Sequence, residues 1–161
     1  GGTNSGSCIT TYNDFTSAVT RNSNSITLCG NGNTLTLTQS VTINTKGDFT
    51  LQCQKGPCVI DGNSRYSVGI TANKVTVNGI TFQNCKSSLN GGALSITPTS
   101  SGSIIQSCIF NQNQAPAGLG GAAWVDQPGA DYSNIRGSGN TARSCSGIYD
   151  ADQGSCIPVI V

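Results

Sequence analysis

The chain repeats itself at a spacing of just under thirty residues, and this spacing constrains the fold more than any single motif. Gly91-Gly92-Ala93-Leu94 returns as Gly120-Gly121-Ala122-Ala123-Trp124-Val125, and a worn copy follows as Ser146-Gly147-Ile148-Tyr149. A second phase runs through Gly79-Ile80-Thr81-Phe82-Gln83-Asn84, then Ser107-Cys108-Ile109-Phe110-Asn111-Gln112, then the degraded Asn134-Ile135-Arg136-Gly137-Ser138-Gly139-Asn140. A period of roughly 26 to 29 residues suits one coil of a solenoid built from several short strands.

Within the repeat, side chains alternate with period two, which places apolar residues on one face and polar residues on the other. Leu35, Leu37, Val41 and Ile43 alternate with Thr and Gln, Val75 and Val77 with Thr76 and Asn78, and Ile80 and Phe82 flank Thr81. Gly30-Asn31-Gly32-Asn33 and Asn78-Gly79 supply residues that tolerate positive φ at the corners. A sandwich also uses short strands, but it does not require near-copies at constant spacing. The expected fold is therefore all-β: a right-handed parallel β-helix forming a single domain over 1–161, with rungs over 25–161.

One segment breaks the pattern. Residues 10–21 carry Thr11 as an N-cap candidate and Asp14 in the first turn, and Tyr12, Phe15, Ala18 and Val19 make one apolar face. A short helix here is expected to cap the first rung, whose core would otherwise be open. The other end, Ile157, Pro158, Val159, Ile160 and Val161, reads as an apolar strand without a helical cap. It is the candidate self-assembly strand, because an uncapped rung offers unpaired backbone to another copy; the alternative is that it folds back over its own last rung and caps it.

Phe49-Thr50-Leu51-Gln52-Cys53, Pro57-Cys58-Val59-Ile60-Asp61-Gly62, Val75-Thr76-Val77-Asn78-Gly79-Ile80-Thr81-Phe82 and the Gly-Gly-Ala repeats follow the capping helix and the strand Ser25-Ile26-Thr27-Leu28-Cys29. This succession resembles the pectate-lyase-type β-helix proteins, and more narrowly it is similar to secreted β-helix repeat proteins of diatoms and other algae. The resemblance covers nearly the whole chain. It implies a fold whose relatives include lyases and hydrolases of acidic polysaccharides, and a fold alone does not fix an activity.

Eight cysteines, none in a Cys-x-x-Cys pair, and no histidine favour four disulfides over a zinc site. Local pairing suggests Cys8 with Cys29, Cys53 with Cys58, Cys85 with Cys108 and Cys145 with Cys156. Disulfides point to an oxidising compartment, and the absence of an initiator Met suggests a secreted, processed chain. The longest apolar run is far shorter than the ~20 residues of a helical membrane span. A net charge of +1, with basic residues scattered, offers nothing to nucleic acid or an anionic membrane. No Asn-x-Ser/Thr sequon occurs, so N-glycans are not expected, whereas the Thr97-Pro98-Thr99-Ser100-Ser101 loop suits O-glycosylation.

Catalysis finds little support in the residues. All seven acidic residues are Asp, spread over positions 14, 48, 61, 126, 131, 150 and 152. Glycoside hydrolysis uses a carboxyl pair, and lyase chemistry uses a base beside a cation, so neither pattern is apparent. Asp61 reads as a corner residue. Asp150-Ala151-Asp152-Gln153-Gly154 imitates the opening of a calcium loop but lacks the later bidentate acid, so a polar turn is expected, with no metal or cofactor. Lys55, Arg65, Lys74, Lys86 and Arg136 are candidates for contacting a sugar acid. Threonine rows at Thr34, Thr36, Thr38, Thr42 and Thr45 resemble an ice-ordering face only on the first rung. Trp124 aligns with Ser95 in the repeat and is a candidate surface contact for a sugar or a subunit, with packing in the core as the alternative. The leading expectation is a non-catalytic extracellular structural protein that assembles head to tail as a homo-oligomer. The alternative is a monomeric cell-surface module that binds carbohydrate.

Overall fold

The computed structural model describes residues 8–97 and 100–160, so Val161, Pro98 and Thr99 lie outside the described residues. One helix, α1 (Tyr12–Thr20), precedes five coils. The first coil holds β1 (Ser25–Leu28), β2 (Thr34–Thr36) and β3 (Val41–Asn44). The second holds β4 (Phe49–Cys53), β5 (Cys58–Asp61) and β6 (Val68–Thr71), and the third β7 (Val75–Asn78), β8 (Ile80–Gln83) and β9 (Leu94–Ile96). The fourth comprises β10 (Ile104–Gln106), β11 (Ile109–Asn111), β12 (Gln114–Leu119) and β13 (Ala123–Val125). The fifth comprises β14 (Asp131–Ser133), β15 (Arg136–Ser138), β16 (Thr141–Ser144) and β17 (Ile148–Asp150), and β18 (Ser155–Ile157) follows it.

Corresponding strands stack into three long sheets: β1-β4-β7-β10-β14, β2-β5-β8-β11-β15, and β3-β6-β9-β13-β17 with β18 at its end. A two-stranded sheet, β12-β16, fills the widened corner of the last two coils. The solenoid expected from the repeat is thus present. Its register is less regular than the sequence suggests, because in-register partners lie from 22 residues apart (Ile60 and Phe82) to 29 (Leu94 and Ala123), and corner loops absorb the difference.

Inward positions form columns that bury the same face of every coil. Leu35, Ile60, Phe82 and Phe110 stack through the second sheet, and the rings of Phe82 and Phe110 lie parallel with centroids 5.3 Å apart. All four phenylalanines are buried, each contributing about 1.5–3 kcal/mol of transfer free energy. Gly137 ends the Phe column because a Cβ there would meet the Phe110 carbonyl oxygen at 1.7 Å.

The Gly-Gly repeat has a steric cause. Gly91 (φ 76°), Gly120 (φ 79°) and Cys145 (φ 63°) turn the chain in the left-handed region at successive coils. The glycine after each turn lies against the next coil: a Cβ on Gly92 would stand 2.1 Å from the Gly121 carbonyl oxygen. Another corner is held by an amide ladder. Asn113 Oδ1 accepts from the Cys85 N–H at 2.9 Å, and Asn113 Nδ2 donates to the Phe82 carbonyl at 3.1 Å. Asn140 repeats the pattern, accepting from the Asn113 N–H and donating to the Phe110 carbonyl.

That ladder corrects one expected disulfide. Cys8–Cys29, Cys53–Cys58 and Cys145–Cys156 are bonded, whereas Cys85 and Cys108 are free and buried. Cys85 occupies the ladder position of Asn113 and Asn140, beyond the end of β8. Cys108 precedes the Ile109–Thr81 pair and so stands over the start of β8. A four-residue strand separates them by about 13 Å along the sheet, while a disulfide needs Cα atoms within ~7 Å.

The N-terminal cap is as expected. The Thr11 hydroxyl accepts from the Asp14 N–H at 3.1 Å, Phe15 and Ala18 are buried, and Tyr12 and Val19 are partly buried against the core. Ile9 adds a parallel bridge over β1. The C-terminal tail takes the folded-back course and not the open one. β18 returns antiparallel on β17, pairing Ile148 with Ile157 and Asp150 with Ser155, and Ile160 then bridges Arg136 on β15. The tail is a strap across its own last coil, because Gly147 leaves room for the Ile157 carbonyl, which a Cβ would approach to 2.2 Å. Of the candidate assembly strand, Ile157 and Val159 are partly buried against the core and Ile160 is 66 % exposed.

Candidate ligand-binding face

The outward side of the third sheet carries one column of registered residues: Thr42, Gly69, Ser95, Trp124 and Tyr149. Strand alternation sends these side chains away from the core, since Leu94, Ile96, Ala123 and Val125 on either side are buried. Trp124 and Tyr149 therefore stand on adjacent strands, about 4.8 Å apart along the stack, and both are partly exposed. The second outward column places Thr71 beside Asn44, with Asp126 on the Trp124 strand's far side and exposed.

Beside this face, the turns that lead from the second sheet into the third, together with β12, line a groove of about 660 Å³. Ser40 comes from the first coil, Ser64, Arg65 and Ser67 from the second, Lys86, Ser87, Ser88 and Leu89 from the third, and Pro116 and Ala117 from the fourth. The groove thus runs along the stacking axis. Its lining has five serines, two cations and no carboxylate. Leu89, 75 % exposed, is the most exposed large apolar side chain among the described residues. Ser67 directly precedes β6 and Ser40 directly precedes β3, so on the first two coils the groove adjoins the start of the third sheet. Just beyond, Arg143 Nε donates to the Ala117 carbonyl at 3.3 Å.

Of the cations read as candidates for a sugar acid, the structure gathers Arg65 and Lys86. Lys55 sits in the turn between β4 and β5, Lys74 immediately precedes β7, and Arg136 opens β15, all away from the groove. Trp124 faces outward. Tyr149 was not singled out by the sequence, although the worn third repeat aligns it with Trp124. The groove serines escaped notice because they lie in irregular turns.

The carboxylates are engaged internally where they are buried. Asp61 accepts from the Asn63 N–H at 2.7 Å and from Gln83 Nε2 at 3.0 Å, as its corner position implies. Asp150, 2 % exposed, accepts from the Tyr132 hydroxyl at 2.9 Å and from the Gln153 N–H at 3.1 Å. Residues 150–154 form the turn between β17 and β18, and both Asp150 oxygens point to protein donors. Burial, together with the hydrogen bond to Asp150, raises the Tyr132 pKa well above its usual value, which keeps the hydroxyl a donor. Among the described residues, no group of three or more His, Cys, Asp or Glu is placed to hold a metal ion.

Three disulfides are the chemistry of an oxidising, extracellular-type compartment. No helix among the described residues is long and apolar enough to cross a membrane. Compared with known proteins, the chain matches no family model, no curated protein and no solved structure. What stands is a parallel β-solenoid of five coils with a hydroxyl-rich and cationic groove beside an outward aromatic pair.

Proposed function

We propose that this chain is a secreted, non-catalytic β-helix module that binds an anionic glycan in the groove beside the third sheet. The observation that carries the reading is the groove lining: Arg65 and Lys86 face the same space as five serine hydroxyls, with no carboxylate to neutralise them. Cations attract carboxylate or sulfate groups, and hydroxyls on a rigid scaffold exchange hydrogen bonds with sugar hydroxyls. The resemblance to pectate-lyase-type proteins, whose relatives act on acidic polysaccharides, supports the same reading. Calorimetric titration with polygalacturonate, dextran sulfate and uncharged dextran tests it. Binding of an acidic polymer, weakened about tenfold by Arg65→Ser combined with Lys86→Ser and weakened further by salt, is expected. Absence of binding to every polymer at low salt refutes it.

Head-to-tail association of copies is the second reading. The outer edges of β14 and β16, each paired on one side only among the described residues, favour it. Sedimentation velocity distinguishes the two, since assembly requires species larger than one 16.4 kDa chain.

A further inference from the structure

We infer that Trp124 and Tyr149 form a stacking subsite beside the groove and displaced from it toward the last coils, so that the ligand is an extended polysaccharide reaching across both rather than a short sugar. The inference rests on the glycan reading above and adds its length and polarity. Trp124 and Tyr149 occupy the same outward column on neighbouring strands, and the residues that continue this column toward the groove's coils are small: Ser95 and Gly69. The aromatic pair is therefore not screened by bulky neighbours on that side. Pyranose rings present a C–H face that packs on an aromatic face, and two rings one strand apart are spaced for consecutive sugars.

The groove draws on the first to fourth coils, on the chain leading into the third sheet, and the aromatic pair lies on the outward face of that sheet on the fourth and fifth coils, so the two sites adjoin around the corner and overlap on the fourth coil. Their chemistry differs. Arg65 and Lys86 select an acidic group at the groove end. The aromatic end, with Asp126 exposed beside Trp124, selects against an acidic group and for a ring that offers hydroxyls and an apolar face. A polymer with charged substituents on only some residues fits both ends. Binding two linked sites raises affinity through effective concentration only once the ligand reaches across both.

Trp124 is the sole tryptophan of the chain, so its fluorescence reports this subsite directly. Oligosaccharides of a partly sulfated or partly uronic glycan, graded by length, are titrated while binding is followed both by calorimetry and by Trp124 emission. Short acidic oligomers are expected to bind in the groove without changing emission. Oligomers long enough to span both sites should bind more tightly and shift the emission. Trp124→Ala should cost about tenfold for long oligomers and nothing for short ones, Trp124→Phe should retain most of the affinity, and Tyr149→Ser should behave like Trp124→Ala. Long oligomers that bind with unchanged emission, or equal affinity of Trp124→Ala and the native chain for them, overturn the subsite while leaving the groove reading intact. Failure of all oligomers to bind overturns both.

Discussion

Raising the pH above 9 should unfold this protein through its two unpaired cysteines. Burial pushes the Cys85 thiol from its ordinary value of 9.0 up to about 12, with the Asp61 charge adding to the effect and the Gly62 backbone hydrogen bond opposing it. Burial likewise pushes Cys108 up to about 11, against hydrogen bonds with the Ile80, Gly79 and Gln106 backbone. A folded-state pKa above the unfolded one means that folding favours the protonated thiol. The associated stability is fully present below pH 9, declines as pH rises above 9 and is fully lost once pH has passed 11 to 12. One pKa unit corresponds to about 1.4 kcal/mol, so at pH 11 the two thiols together withdraw roughly 5 kcal/mol. That is a large part of the 5–15 kcal/mol typical of a domain, and for a chain of this length it lowers Tm by roughly 10–20 °C. Tyr132, raised by burial and by its hydrogen bond to Asp150 from an ordinary value of 10.0, adds a smaller loss over the same pH range. Circular dichroism melts at pH 8 and pH 11 measure the effect. The variant carrying Cys85→Ser and Cys108→Ala should lose most of the pH dependence, whatever its absolute stability. An equally steep alkaline loss in that variant, or rapid thiol labelling of the native chain at pH 8, would refute the reasoning.

Three further outcomes follow from the packing. Asn113→Ala removes the ladder bonds to the Cys85 N–H and the Phe82 carbonyl and should cost about 2–4 kcal/mol in urea unfolding, with Asn113→Asp no better because it cannot donate to that carbonyl. Gln127, buried with neither side-chain Oε1 nor Nε2 hydrogen-bonded, should gain about 1–2 kcal/mol on replacement by Leu, measured by calorimetry; a loss instead shows that the amide is satisfied in solution. Cys156→Ser opens an 11-residue link and should cost about 3 kcal/mol, with proteolysis of the tail as the local readout.

The sequence carried the coil, because each inward side chain must meet its copy one turn later, and a period survives as recognisable copies such as Gly91-Gly92 and Gly120-Gly121. The helix was legible from Thr11 and the spacing of Phe15 and Ala18. Cys53–Cys58 and Cys145–Cys156 were legible because short separations leave few partners. Cys85–Cys108 failed because nearness in sequence is a poor guide in a solenoid, where the neighbour of a residue is its registered copy. A signal was present: Cys85, Asn113 and Asn140 all follow their column residues, Phe82, Phe110 and Gly137, by three positions. The course of the tail was not decidable from its residues, because an apolar β-branched end looks the same whether it waits for a partner or returns on its own chain. The bonded Cys145 and Cys156 held the hint of a return. For the binding face, Trp124 stood out by its size, while the groove was invisible because turn residues carry no period and only stacking decides which turns share a wall.

The antiparallel strap also fixes where the molecule may grow. A parallel coil presents to its successor the same backbone edge that it received, so nothing in the middle of the stack counts coils. Among the described residues, α1 with Ile9 marks one end and β18 with Ile160 the other. A duplicated third coil would then be an insertion between two untouched caps, adding one strand spacing, ~4.8 Å, to each sheet and to the neighbouring groove. Length in this scaffold is a modular property, and the reach of its binding face along a polymer would scale with it.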